Sequence, residues 1–128
     1  VKPLKPSAEA LLALPSVGTL STVRPDGSPH VVTVRFTWDA DAELARVLTI
    51  DTTRKAHNLL AAPGSRAAIC QPEGARWITL EGTATLSADP HRVHEGVRRY
   101  LARYGSPPPA PPGRVVVEIA VDRVLGIH

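Results

Sequence analysis

TLSTVRPDGSPHVVTV, Thr19 to Val34, is the stretch that decides the fold. From Val17 the chain has a period of two: Val17, Thr19, Ser21 and Val23 alternate with Gly18, Leu20, Thr22 and Arg24, the mark of a half-buried strand. Pro25 to Pro29 is a turn, because Asp-Gly accepts positive φ at little cost. The returning strand is expected over His30 to Trp38. It sets His30, Val32, Val34, Phe36 and Trp38 on one side and Val31, Thr33, Arg35 and Thr37 on the other. Asp39 to Asp41 then turns the chain into a third strand, Leu44 to Ile50, so two hairpins follow in a meander.

Upstream of this core lies VKPLKP, a loose arm, and then a short helix for which Ser7 is the expected N-cap. Ala10, Leu11, Leu12 and Leu14 form its apolar face, and Pro15 ends it. Downstream, Thr52 or Thr53 caps a second helix that runs to about Ala61 and stops at Pro63-Gly64. Ala67 to Gln71 and Arg76 to Leu86 are strands joined through Pro72 to Gly74, and Gly82 at mid-strand marks a bulge. Asp89-Pro90 is an N-cap followed by proline at the first helical position, opening a helix to Tyr104 with Val93, Val97, Tyr100, Leu101 and Tyr104 at helical spacing. Gly105 to Gly113, GSPPPAPPG, is a stiff connector, and Arg114 to Val121 is a last strand that Val124 to His128 extends. The sum is a mainly β chain with short helices: a six-stranded, mostly antiparallel barrel, closed or nearly so because closure removes exposed sheet edges.

With 128 residues the chain has the length of one domain, expected over 1–128. That leaves no room for separate cofactor and substrate domains, so a large ligand calls for a second subunit to help enclose it. No apolar run is long enough for a membrane helix, and no export leader is visible. A single cysteine, Cys70, fits a reducing cytoplasm and reads as an inert core residue. No Cys/His grouping has zinc spacing, so no metal is expected. The net charge of +3 suits an anionic small ligand, while aromatic residues at 4% are too few for the stacking platforms of a single-strand nucleic-acid binder.

The chemistry concentrates in LTIDTTRKAHNL, Leu48 to Leu59. A strand ends there, hydroxyls gather at Thr49, Thr52 and Thr53, and Arg54-Lys55 open a helix. Free amides and the positive dipole end make a helix N-terminus an anion site. Cations in a first turn oppose that dipole, so Arg54 and Lys55 point to a negative ligand such as a phosphate; the plain alternative is an exposed basic turn. The β-branched run His30 to Val34 reads either as core strand or as a wall for a flat ring. Gln71 and Trp77 flank the PEGA turn, with Trp77 beside a ligand, at a subunit contact or packed at a rim. Arg92 to Arg103 reads as a charged outer face, with guidance of acidic ligands as the sharper reading. No P-loop, dinucleotide fingerprint or hydrolytic triad can be assembled, and no catalytic side chain can be named.

The hairpin Thr19 to Val34, the TTRKAHNL element at Thr52 to Leu59 and WITLEGTATL at Trp77 to Leu86 together resemble the pyridoxamine-phosphate-oxidase-like split-barrel superfamily. CQPEGARWITLEG (Cys70 to Gly82) and RVVVEIAVDRVLG (Arg114 to Gly126) are similar to its F420-dependent biliverdin reductase subgroup. The resemblance implies a homodimer with two cofactor sites between subunits, taking coenzyme F420, or FMN as the alternative. Lys55 matches the family's phosphate-binding lysine, Arg54 and Asn58 share its motif, and His30, Val31, Val32, Thr33 and Val34 match the segment along the deazaflavin ring. Thr33 stands where many members carry proline. The implied reaction is hydride transfer from reduced F420 to a planar conjugated small molecule, biliverdin to bilirubin, with an FMN-dependent enzyme or a non-catalytic F420- or tetrapyrrole-binding protein as the other outcomes.

Overall fold

A computed structural model describes residues 3–128; Val1 and Lys2 of the expected arm lie outside the described residues. In chain order the elements are α1 (Pro6–Leu12), β1 (Gly18–Val23), β2 (Pro29–Val34), β3 (Thr37–Asp39), β4 (Leu44–Ile50), α2 (Arg54–Ala61), β5 (Arg66–Glu73), β6 (Arg76–Ser87), α3 (Pro90–Tyr104) and β7 (Arg114–Ile127). All the strand pairs are antiparallel, in one sheet of order β2-β1-β5-β6-β7-β4-β3. β2 and β3 are therefore its two opposite edges, yet only Arg35 and Phe36 separate them in the chain. Three Cα steps reach at most about 11 Å, so the sheet has to curl until its edges meet. The result is the expected barrel, split along the seam where β2 and β4 face each other.

That seam explains why the sheet has seven strands instead of the expected six. The single strand expected over His30 to Trp38 breaks at Arg35-Phe36, and its second half crosses to pair with β4. Phe36, Thr37 and Asp39 are all buried, so the alternation of β2 does not carry through. Tyr104 replaces the lost ladder bonds. Its hydroxyl accepts from Phe36 N–H (3.0 Å), and its proton is directed at Phe36 O (2.8 Å), with Ser16 O at 3.1 Å.

Inside the curl, Leu20, Val47, Ile69, Ile78, Leu80 and Ile119 interdigitate with Phe36, and Leu11 of α1 and Leu59 of α2 cap this core. Gly82 is required: the register shifts between Glu81 and Gly82, and a Cβ there would lie 1.9 Å from Ala120 O. α1 starts at Pro6, with Lys5 at the cap position and no side-chain cap, so Ser7 is not the N-cap; proline's fixed φ at the first position sets the start. Leu101 turns away from the core, 48% exposed, and the buried residue of α3 is Gly96, whose bare Cα lets the helix sit against Leu48 and Val116. Cys70 is likewise outside the core. It lies on the outer face of β5, between Thr19 and Thr79, because β5 buries Ala67, Ile69 and Gln71.

Arg92, Arg99 and Arg103 of α3 dock the helix. Buried Arg46 on β4 bridges Asp39 of β3 (2.8 Å) and Glu118 of β7 (3.4 Å); Arg92 then reaches Glu118 (2.7 Å), and Arg99 reaches Asp39 (3.1 Å) and Glu95 (2.8 Å). Arg103 donates to Leu12 O, Ser16 O and the Gln71 amide oxygen, and its guanidinium lies 4.4 Å from the Phe36 ring centroid. Burial pushes the Asp39 carboxyl up, but the Arg46 hydrogen bond, the Ala42 amide and the nearby cations outweigh it and leave its pKa below the ordinary value. Such a group stabilises the fold above the ordinary carboxylate range, and the contribution is lost as pH falls through the folded value. Arg46→Ala removes the buried cation shared by Asp39 and Glu118 and leaves them only the more exposed Arg99 and Arg92, so urea denaturation at neutral pH is expected to show a loss of about 1–3 kcal/mol. An unchanged midpoint would contradict this account of the docking.

Candidate functional site

β3 covers only Leu44 to Arg46 of β4, so Val47 to Ile50 have β7 on one side and no strand on the other. β2 is likewise paired on one side only, to β1. These two bare edges enclose a groove of about 340 Å³. Thr33 and Val34 line it from β2, Arg35 from the link to β3, Val47, Leu48, Thr49 and Ile50 from β4, and Lys55 from α2. Tyr100 of α3, the proline connector through Pro108, Pro109 and Pro111, and Arg114 at the start of β7 complete the wall. Arg114 pins that connector by donating to Pro109 O (3.0 Å), and Asp51 N–H donates to Gly113 O (2.9 Å).

The α2 end of the groove is built by hydroxyls. Thr53 caps the helix, its Oγ1 accepting from Ala56 N–H (3.4 Å) while donating to Ile50 O (3.0 Å). Thr49 Oγ1, 3.0 Å away, is left to donate to Thr53. The first amides of α2 have no partner within the helix. Lys55 beside them is half-buried, and burial pushes its pKa below the ordinary lysine value. Among the described residues no carboxylate pairs with it, and no Asp or Glu lines the groove. Burying an unpaired ammonium is costly, so the fold retains here a charge that an anion would satisfy.

His30 extends this cationic corner. Burial lowers its pKa first, and the charges of Arg24, Lys55 and Arg54 lower it further. Its register partner Thr22 accepts from Asn58 Nδ2 (3.0 Å), and both His30 Nδ1 and Asn58 Oδ1 are buried without a hydrogen-bond partner. The expected residues thus fall into groups. Thr33, Val34, Thr49 and Lys55 line the groove; Thr53 and Asn58 brace it, and His30 feels its charges. Thr52 and Arg54 are exposed at the mouth of α2, Val32 packs against the core, and Val31 faces outward, 59% exposed. Trp77 is half-buried on the outer face of β6, opposite Ile127 of β7.

Gln71 is a correction. It is fully buried away from the groove, its amide donating to Leu11 O (2.7 Å) and Glu73 (3.2 Å) and accepting from Arg103 (3.0 Å), so it braces α1 and α3. Conversely, Arg35, Tyr100, Arg114 and the prolines were absent from the expected site. Arg35 carried a signal as the one charge within a β-branched strand; the others depend on how α3 and the connector fold back, which no local pattern encodes.

A curled antiparallel sheet, split at a seam whose end presents an uncompensated cation and a helix N-terminus, defines a small split barrel with a cationic groove. The chain belongs to the pyridoxamine 5'-phosphate oxidase family, whose model matches residues 4–128. It is 42% identical over 123 residues, 96% of this chain and 88% of the relative, to the F420H(2)-dependent biliverdin reductase of Mycobacterium tuberculosis (strain CDC 1551 / Oshkosh). Among solved structures, one described as an F420 reductase superposes with a TM-score of 0.72 at 29% identity, covering 91% of this chain and 94% of that one. The conserved hypothetical protein Rv2991 of Mycobacterium tuberculosis shares the fold, with a TM-score of 0.78 at 24% identity, covering 96% of this chain and 84% of that one.

An anion bound at this corner favours the charged form of Lys55, reversing the effect of burial. NMR titration of the Lys55 side chain is expected to give a pKa below the ordinary lysine value in the ligand-free protein and an upward shift when a phosphorylated flavin-type ligand binds. A pKa unmoved by such a ligand would show that the phosphate sits elsewhere.

Proposed function

We propose that the protein is a reductase that uses reduced coenzyme F420 to deliver a hydride to a planar conjugated acceptor, with biliverdin going to bilirubin as the leading case. The observation that carries this reading is the unpaired, half-buried Lys55 in an acid-free groove, taken with the 42% identity to a relative named for that reaction. The residues fit the cofactor. Lys55 and Arg54, with the first amides of α2, hold its phosphate, and Thr49, Thr52 and Thr53 furnish hydroxyls along the approach. The edge His30 to Val34 lies along the ring, with Thr33 and Val34 lining the groove. When bound, reduced F420 supplies the hydride from its C5. The chain's own part is to hold donor and acceptor face to face and to keep water from the seam, which Tyr100 and the proline connector wall off.

In this reading residues 1–128 form one domain that works as a homodimer in a reducing cytoplasm. The outer sheet face supports the dimer. Thr33, Thr19, Cys70, Thr79 and Leu125 form one cross-strand row, and Val31, Ser21, Ala68, Glu81 and Arg123 form the next, a shallow surface with Val31 and Leu125 exposed. Trp77 on the same side is then a subunit contact. No helix among the described residues is long and apolar enough to cross a membrane.

Parallel fluorescence titrations with F420 and FMN are expected to favour F420, and adding biliverdin to protein with reduced F420 is expected to restore the absorbance of the oxidised cofactor. A clear FMN preference would overturn the cofactor, and tight F420 binding with no transfer to any conjugated acceptor would point to a binding protein. Sedimentation equilibrium is expected to return twice the chain mass; a monomer with undiminished cofactor affinity would remove the dimer.

A further inference from the structure

Most arginines around the barrel are already committed. Arg46, Arg66, Arg92, Arg98, Arg99 and Arg123 each lie within 4 Å of a carboxylate, and Arg103 spends its guanidinium on carbonyl oxygens. Arg35 differs. It sits at the seam, lines the groove that also holds Lys55, and has no carboxylate partner among the described residues. It is nevertheless held in place. Its Nη1 donates to Tyr100 Oη at 2.8 Å, and its guanidinium carbon lies 5.0 Å from the Tyr104 ring centroid and 5.8 Å from that of Tyr100. The two rings form a tilted pair 4.9 Å apart, and Tyr104 is itself fixed by its hydrogen bonds to Phe36.

A guanidinium carries five N–H donors in a planar fork, and only one is engaged here, so a two-pronged edge remains for a ligand. Stacking on aromatic faces restricts the side chain before any ligand arrives, which lowers the ordering cost of binding. An oriented cation in an acid-free groove matches a carboxylate, which accepts two parallel hydrogen bonds from such a fork.

We propose that Arg35 is a specificity-determining residue that grips a carboxylate on the acceptor, so that the groove selects planar conjugated substrates bearing an acidic side chain. The proposal rests on the reductase reading for the occupant of the groove. Lys55 serves the phosphate at the α2 end, and Arg35 serves the acceptor's acid group at the α3 end.

The test compares biliverdin, which has two carboxylates, with its dimethyl ester, which has the same conjugated system and none. Equilibrium titration of the cofactor-free protein and steady-state kinetics with reduced F420 are run side by side on wild type, Arg35→Gln and Arg35→Lys. Wild type is expected to bind the acid about 10- to 100-fold more tightly than the diester, the scale of a charge-assisted hydrogen bond. Arg35→Gln is expected to abolish that preference by weakening the acid alone, raising its KM with little change in kcat and leaving F420 affinity unchanged. Arg35→Lys, which keeps the charge but not the fork, is expected to retain part of it. Equal binding of acid and diester by wild type, binding of neither, or a preference that survives in Arg35→Gln would overturn the proposal, as would a variant whose main loss is F420 affinity. If F420 fails to bind, the reductase reading falls, while the acid–diester comparison on cofactor-free protein still decides the role of Arg35.

Discussion

Two residues hold this architecture in shape. Because Arg35 and Phe36 alone connect the opposite edges of a seven-stranded sheet, the sheet cannot lie open. Once it is curled, the edge of β2 and the uncovered half of β4 face one another across a seam that no strand fills. Everything of functional interest follows from that gap. Bare strand edges offer backbone donors and acceptors to a flat heterocycle, and the side chains beside them are small or β-branched. The link also divides labour by alternation: Phe36 plugs the core while Arg35 faces the groove.

α3 ties together the strands on one side of the seam. The ion pairs that join Arg46, Asp39, Glu118, Arg92 and Arg99 gather three strands and the helix into one network, and the Tyr104 hydroxyl closes the break between β2 and β3. These groups are mutually satisfied. The contrast at the α2 end is the informative one: there Lys55 is half-buried and unpaired, and His30 sits among cations. In the proposed reading, a fold that pairs its buried charges elsewhere leaves this corner to a ligand of opposite sign.

Much of this was legible in the sequence because it is local. The hairpin at Pro25 to Pro29, the bulge at Gly82, the Thr53 cap of α2 and the Asp89-Pro90 start of α3 each depend on residues within a few positions of one another. The break after Val34 was not legible, since β-branched residues and aromatics continue the alternation through it and only the distant Tyr104 makes the interruption tolerable. Cys70 and Gln71 show the same limit in reverse. An apolar-looking strand does not declare which face is the core, so the cysteine faces out while the glutamine is buried against α1 and α3. Within the groove, the α2 start with its Thr53 cap and Lys55 was readable from TTRK, whereas the wall formed by Tyr100 and the proline connector is tertiary.

The account stands on where the phosphate of the ligand goes. A crystal structure of the protein soaked with F420 tests this most directly. The account predicts the cofactor in the seam between β2 and β4, its phosphate within hydrogen-bonding distance of Lys55 Nζ and the first amides of α2. A cofactor bound away from the seam, with the Lys55 ammonium left to solvent, would contradict it.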